Sequence, residues 1–159
     1  YSDDLEFCWR ARLAGFNVGL AERSICHHKY DPGRTLDKLF YVERNRLLTL
    51  LTLERGRTLL LTLPCLFVAG LAMTCYCVAR GWGRMPWQVA RDLLTRETWR
   101  LIRSRRRQLR RLRRRTDADI IGRFAGTMAS PQFNAPLLRY VANPLLAAYW
   151  AVAKRLIRW

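Results

Sequence analysis

The spacing of apolar residues predicts a helix over residues 4–15, followed by two short strands. Gly15 is placed to end the helix, because glycine readily takes the left-handed conformation at a helix C-terminus. The apolar runs at residues 17–21 and 24–27 have the length of strands, and the pair Pro32–Gly33 then indicates a turn. This order of elements predicts the last part of an α/β domain.

Helical patterns continue through the rest of the chain. A second helix is predicted to start near Thr35, a strongly basic helix covers residues 88–115, and an amphipathic helix runs from Pro144 to Trp159. Residues 58–79 contain no charged side chain over 22 positions, and about 20 apolar residues suffice to cross a bilayer as a helix. This segment is therefore predicted to be associated with a membrane.

A buried helix of a soluble core is the other interpretation of the uncharged segment. We favour the membrane, because so small a domain can hardly enclose such a long apolar helix. Arg55 and Arg57 flank the segment on one side, and Arg80 and Arg84 flank it on the other. The predicted organisation is an α/β part at residues 1–53, a hydrophobic membrane segment at 54–82, a basic cytoplasmic helical region at 83–135 and a membrane-associated amphipathic helix at 136–159.

The charge of the chain favours an anionic partner. It has 29 Lys and Arg against 12 Asp and Glu, a formal net charge of +17, and ten arginines lie between Arg100 and Arg115. Nucleic acid is disfavoured because no aromatic stacking platform accompanies these arginines. Anionic membrane lipid is the better partner, since the basic helix follows the uncharged segment. The five cysteines form no CxxC pair and are expected to be reduced.

The stretch DDLEFCWRARLAGF at residues 3–16 is the most informative part of the chain. An acidic pair at a helix N-terminus is stabilised by the helix dipole, so a structural cap is one interpretation of Asp3 and Asp4. The longer pattern resembles the Glu-Asp-x-Asp-Leu-x-x-Arg segment of family 2 glycosyltransferases, which continues with Ala-Gly and an aromatic residue. In this comparison Asp3 replaces the Glu of the family pattern, Asp4 is the Asp beside it, and Glu6 replaces the second Asp.

Two further segments extend the resemblance in the same order. Family members continue with a strand that ends in His, here His27, and then with a helix bearing Glu-Arg-Asn-Arg-Leu, here Glu43 to Leu47 within residues 40–48. The resemblance covers residues 1 to about 53. It is to bacterial, membrane-associated and rhamnosyltransferase-like members, and it implies that the first part of the chain is the C-terminal end of a GT-A domain.

The reaction implied by the resemblance is inverting glycosyl transfer from a nucleotide-sugar donor to a cell-surface glycan or a lipid-linked acceptor. Asp4 would be the general base that takes the proton of the acceptor hydroxyl, and Asp3 would shape the pocket or assist. A divalent metal ion, Mg²⁺ or Mn²⁺, is expected to neutralise the diphosphate in the full-length enzyme.

Other site residues are expected from the same resemblance. Trp9 and Arg10 are expected to bind substrate. His27 could be a metal ligand or a hydrogen-bonded structural histidine. Arg44 and Arg46 could bind the diphosphate or face lipid phosphates, and both interpretations stay open.

The resemblance also predicts what this chain lacks and where it works. No Asp-x-Asp motif precedes Asp3, and Asp117-Ala118-Asp119 follows the basic helix, so the chain is expected to be an inactive fragment without the nucleotide-binding half. The enzyme is expected at the bacterial inner membrane with its catalytic part facing the cytoplasm. The alternative is a non-enzymatic membrane protein with an arginine-rich tail that binds lipid or nucleic acid.

The predicted topology contains one conflict. The acidic helix and the basic helix are both expected in the cytoplasm. A single straight crossing by residues 58–79 would place these two helices on opposite sides of the membrane. A shallow path through the interface, or a second crossing by the last apolar stretch, would remove the conflict.

Overall fold

The computed structural model describes residues 1–27, 29, 35–127, 136 and 138–159, and in these residues helices are connected by turns and loops. A π-helical turn, Leu138–Ala142, leads directly into the last helix. The α-helices are α1 (Asp3–Leu13), α2 (Thr35–Leu53), α3 (Gly56–Ala79), α4 (Arg84–Leu93), α5 (Arg96–Leu112), α6 (Asp117–Ile121) and α7 (Asn143–Leu156).

The predicted α/β fold, the end of a GT-A domain, is wrong, because the described residues contain no strand. Residues 17–21 and 24–27 form an exposed loop in which Leu20 is 91% exposed. A strand needs a neighbouring strand to satisfy its backbone groups. Here Arg12 donates instead to the Val18 carbonyl at 3.1 Å. The described part of the chain is all-helical, and the turn predicted at Pro32–Gly33 lies outside the described residues.

The predicted end of the first helix is confirmed at Gly15. Its φ of 98° is the left-handed conformation that favours glycine. The Gly15 amide donates to Arg12, and the Phe16 amide donates to Ala11, both at 3.0 Å. These two bonds form a Schellman motif, which turns the chain away from the axis of α1.

The single basic helix predicted over residues 88–115 is divided into α4 and α5. Thr95 lies at the break in an extended conformation, and its hydroxyl accepts a hydrogen bond from the Thr98 amide at 3.2 Å. Threonine is a favourable N-cap, so it starts a new helix where the apolar periodicity alone indicates continuation. In α5 the side chains of Ile102 and Leu109 are buried, and most of the arginines are exposed.

Two adjoining clusters form the core at one end of the molecule. The ends of α1, α2 and α5 meet α6 in the first cluster, and α6 meets α7 in the second. The first consists of Trp9, Leu13, Leu53, Leu109 and Ile120, and the second of Ile121, Trp150, Ala153 and Ile157. Backbone bonds connect the same ends, since the amides of Arg114 and Arg115 donate to the Leu13 carbonyl at 2.8 and 3.0 Å.

A third cluster lies at the other end of the molecule. Cys77 from the end of α3 packs with Met85 and Val89 of α4, and Leu39, Phe40 and Leu47 of α2 pack against them. The three clusters therefore contain residues from all four predicted segments. In the described part of the chain, α3 is the one helix that by length and composition could cross a membrane. An 18-residue stretch of it has a mean hydropathy of 2.0, and only 11% of that stretch is buried.

A substitution at Gly126 tests the packing of α7. A Cβ atom at this position would lie 2.5 Å from the Cβ of Trp150 and 2.7 Å from its Cγ. We expect Gly126→Ala to lower the free energy of unfolding by about 1–3 kcal/mol, because the indole would have to leave its place in the core. Urea denaturation followed by circular dichroism in a nonionic detergent measures the change.

Gly70→Ala is the matched control for this prediction. A Cβ at Gly70 would meet no atom within 4 Å, and alanine is a better helix former than glycine. We expect the control variant to be as stable as the wild type or more stable. Equal effects of the two substitutions would contradict the role assigned to Trp150.

Candidate functional site

The acidic pair lies in the first turn of α1 with both carboxylates exposed to solvent. The Asp4 carboxylate accepts a hydrogen bond from the Leu5 amide at 2.7 Å. The pKa of Asp3 is lowered by a hydrogen bond from its own backbone amide and then by the Tyr1 amino group, which lies 3.5 Å away. Both carboxylates are accessible to a molecule that approaches from solvent.

The C-terminal half of α1 holds this exposed pair in place. Trp9 and Leu13 are 5% and 0% exposed, so one face of α1 is fixed in the core. The rings of Trp9 and Phe124 meet edge to face with centroids 4.7 Å apart. Trp9 is expected from the sequence to bind substrate, and the structure places most of its indole inside the protein.

The first residues of the chain contact the middle of α2. The Asn45 side chain donates to the Tyr1 carbonyl at 2.9 Å, and the rings of Tyr1 and Tyr41 stack with centroids 6.3 Å apart. Asn45 is the central residue of the Glu-Arg-Asn-Arg-Leu segment. The residues just before the acidic pair are therefore held against the middle of α2, although about 40 residues separate them in the sequence.

The three arginines expected to bind substrate already have acidic partners. Arg10 lies 3.3 Å from Glu6 one turn earlier in α1, and Arg44 contacts Asp92 of α4 at 2.5 Å. Arg46 makes two bonds to Glu43, at 2.6 and 2.9 Å. A diphosphate at Arg44 or Arg46 would have to share or replace these carboxylates.

His27 is exposed in the loop that follows α1. Across residues 1–27, 29, 35–127, 136 and 138–159, no group of three or more His, Cys, Asp or Glu side chains could hold a metal ion. His27, Asp3 and Asp4 do not form a metal centre by themselves. The expected Mg²⁺ or Mn²⁺ would need further ligands besides these three residues.

A cavity of about 480 Å³ lies between α1, α2, α3 and α7. It is lined mostly by apolar side chains, and Arg46, Glu54 and Thr62 add polar atoms to its wall. Trp9 and Leu5 face it from α1, whereas Asp3 and Asp4 do not line it. This cavity is open to solvent, and the acidic pair lies outside it on the surface.

A buried polar centre around Asp117 is the feature that sequence reasoning missed. The Asp117 carboxylate is 2% exposed and accepts hydrogen bonds from the Arg55 amide at 2.8 Å and from the Thr58 hydroxyl. Arg113 forms an ion pair with it and also donates to the Leu53 carbonyl at the end of α2. The second acid, Asp119, forms a capping box with Thr116. Asp117 thus joins helices, whereas Asp119 caps the N-terminus of α6.

Glu54 lies beside this centre, and its pKa is unusually high. Burial raises the pKa from its ordinary value of 4.5 to about 7 and outweighs the hydrogen bond that Thr62 donates at 3.1 Å. The nearby Asp117 raises the pKa further, and Arg106 lowers it. The sequence gives only a weak signal for this buried acid, because Glu54 looks like an ordinary polar residue at the end of a helix.

Comparisons with family models, with curated proteins and with solved structures found no match for the chain.

Proposed function

We propose that the chain is part of a membrane-attached, inverting glycosyltransferase and carries its general base. The observation that carries the proposal is the exposed acidic pair at the start of α1, held by a helix whose other face is buried. A general base must be reachable by its substrate, and Asp4 is exposed on a helix whose backbone is anchored in the core by Trp9 and Leu13. The contact between Asn45 and Tyr1 supports the proposal, because it holds the residues just before the acidic pair against the Glu-Arg-Asn-Arg-Leu segment of α2.

In the proposed reaction, Asp4 accepts the proton of an acceptor hydroxyl on a glycan or a lipid-linked sugar. The hydroxyl oxygen attacks the anomeric carbon of a nucleotide-sugar, the new glycosidic bond inverts the configuration, and the nucleoside diphosphate leaves with the bonding electrons. Donor binding is assigned to another part of the enzyme. Asp117 is not available for it, because it is buried in an ion pair with Arg113.

Asp4→Asn in the complete enzyme tests the proposed base. The amide keeps the size of the side chain but cannot take up a proton at neutral pH, so transfer from a radiolabelled nucleotide-sugar should fall by about 10²–10⁴-fold. Binding of the nucleotide-sugar should stay nearly unchanged. We expect no transfer from residues 1–159 alone, and turnover by that piece would contradict the assignment of donor binding to another part.

Asp119→Asn is the matched control, since Asp119 is also an exposed acid in the first turn of a helix. We expect the control to retain transfer, with at most a modest loss of stability from the weakened cap. Wild-type turnover of the Asp4 variant would reject Asp4 as the base. It would leave the second candidate function, a non-enzymatic membrane protein, which the exposed arginines of α5 favour.

Attachment to the inner membrane, with the catalytic part in the cytoplasm, belongs to the same proposal. The length and hydropathy of α3 and the net charge of +17 support it.

A further inference from the structure

The polar and apolar faces of α3 are oriented opposite to those of a helix on the surface of a soluble protein. Its outward face carries a stripe of apolar side chains at intervals of three, four, four and seven residues, which places them on one side of a helix. Phe67, the most exposed of them, has 73% of its surface free. The stripe consists of Leu60, Leu63, Phe67, Leu71 and Val78.

The inward face of α3 contains two of its three threonines, and the third, Thr74, donates to the Gly70 carbonyl of the same helix at 2.8 Å. Thr58 and Thr62 are buried, and their hydroxyls donate to Asp117 and Glu54. The Trp159 indole donates to the Thr58 hydroxyl at 2.9 Å. A surface helix of a soluble protein turns its polar side to solvent and its apolar side to the core. Here all three threonine hydroxyls donate to acceptors within the protein, so the outward stripe is suited to an apolar surrounding.

Both ends of α3 are fixed to the same helical body. At the start, Tyr149 of α7 donates to the Leu61 carbonyl at 2.8 Å, and Asp117 holds the Arg55 amide and Thr58. At the end, Cys77 packs with Met85 of α4. The acidic helix and the basic helix also touch, because the Arg114 amide of the segment after α5 donates to the Leu13 carbonyl. In this arrangement α3 does not separate α1 from α5.

Helix α2 runs beside the middle of α3 and carries charge there. Glu43 and Leu47 of α2 line one cavity with Phe67, Leu71 and other residues of α3. If α3 crossed a bilayer, the ion pair of Glu43 and Arg46 would lie near the depth of the hydrocarbon centre, where charged side chains are costly. With α3 parallel to the membrane plane, the same ion pair stays on the protein side of the helix.

We propose that α3 lies in the plane of one leaflet, with its apolar stripe in the acyl region of an anionic bilayer and the rest of the protein on one side. An anionic bilayer is assigned as the partner of the stripe because of charge. Exposed arginines flank both ends of the helix, at Arg55, Arg57, Arg80 and Arg84. The exposed Trp87 follows at one end, where aromatic rings favour the membrane interface. At the other end, α7 adds exposed apolar residues and the basic Arg155, and the basic Arg158 follows the helix.

This position of α3 specifies how the membrane attachment in the proposed function is made, and it does not depend on Asp4. It also removes the conflict in the predicted topology, because the acidic and basic helices lie on the same side of the membrane. Asp4 could fail as the base while α3 still lies in the leaflet, and the reverse is equally possible.

Vesicle flotation of the complete protein tests the apolar stripe. We expect flotation with vesicles of phosphatidylcholine mixed with phosphatidylglycerol, and weaker binding to phosphatidylcholine alone. The triple variant Leu63→Ser, Phe67→Ser, Leu71→Ser should bind about a thousandfold more weakly, because each buried Leu or Phe contributes about tenfold or more. The control Leu94→Ser, Leu112→Ser removes exposed leucines elsewhere and should bind like the wild type. Equal binding by all three proteins would overturn the proposal.

Depth measurement separates a helix in the plane from one that crosses. Nitroxide labels are attached to single cysteines introduced as Leu60→Cys, Phe67→Cys or Val78→Cys, with the native cysteines replaced by alanine and helicity checked by circular dichroism. A helix in the plane predicts similar, shallow depths at all three positions. A crossing helix predicts the greatest depth at position 67, and this result would overturn the proposal.

Sidedness gives an independent second readout. Single cysteines introduced as Asp3→Cys in α1 and Gln108→Cys in α5 are treated with a membrane-impermeant maleimide on oriented membrane vesicles. We expect both to react from the cytoplasmic side. Reaction of the two positions from opposite sides would establish a crossing and overturn the proposal, whatever the catalytic role of Asp4.

Discussion

Asp117→Ala is expected to lower the free energy of unfolding by about 3–5 kcal/mol, because it leaves the nearly buried Arg113 guanidinium without its carboxylate. The same change removes the acceptor of the Arg55 amide and of the Thr58 hydroxyl. Unsatisfied buried donors add to the cost. Urea denaturation in a nonionic detergent, followed by circular dichroism, measures the loss.

The effect of Asp117 should extend beyond one ion pair, because the residue joins three parts of the fold. Its carboxylate contacts the residues that lead into α3, and its backbone amide donates to the Trp159 carbonyl at 2.8 Å. Arg113, its partner, also caps the end of α2 through the Leu53 carbonyl. Loss of the carboxylate therefore weakens the junction of α2, α3 and α6 together, whereas the backbone bond to Trp159 remains.

Asp119→Ala is the control for this result, because Asp119 lies two residues away and is exposed. We expect it to cost about 1 kcal/mol through the lost capping box. The double variant Arg113→Met, Asp117→Ala should be less destabilised than the sum of its single variants, since no buried charge is left unpaired. Additive losses would contradict the ion pair as the source of the stability.

The second large effect is a pH dependence that comes from Glu54. Its pKa is about 7 in the folded protein and 4.5 ordinarily, so between these values the folded state holds a proton that the unfolded state has lost. The contribution of Glu54 to the free energy of unfolding should be fully present below pH 4.5. The free energy of unfolding should then fall by about 3 kcal/mol as the pH rises through 7.

Glu54→Gln isolates this contribution. Glutamine cannot ionise and still accepts a hydrogen bond from Thr62, so the loss between pH 4.5 and pH 7 should disappear in the variant. Near pH 8 the variant should be more stable than the wild type, because the buried carboxylate is no longer charged. Glu97→Gln changes an exposed acid and should leave the wild-type pH profile intact. Parallel profiles for wild type and Glu54→Gln would contradict the raised pKa.

Local signals in the sequence determined where most helices lie. Apolar spacing and Gly15 predicted α1 and its end, and the uncharged run predicted a long helix that became α3. These signals succeed because they act within a few residues, through helix periodicity and backbone preference. The acidic pair at the start of α1 and the charge of +17 were also visible without a structure.

The tertiary structure decided what the local signals could not. Residues 17–21 have the composition of a strand, but a strand requires a partner, and the described residues offer none. The sequence likewise did not distinguish Asp117 from Asp119, because burial beside Arg113 depends on how α6 packs against residues about 60 positions away. The direction in which the apolar face of α3 points also depends on Thr58 and Thr62 finding acceptors inside the protein. Long-range packing set each of these outcomes, since the free energy of a buried polar group depends on partners that are distant in the sequence.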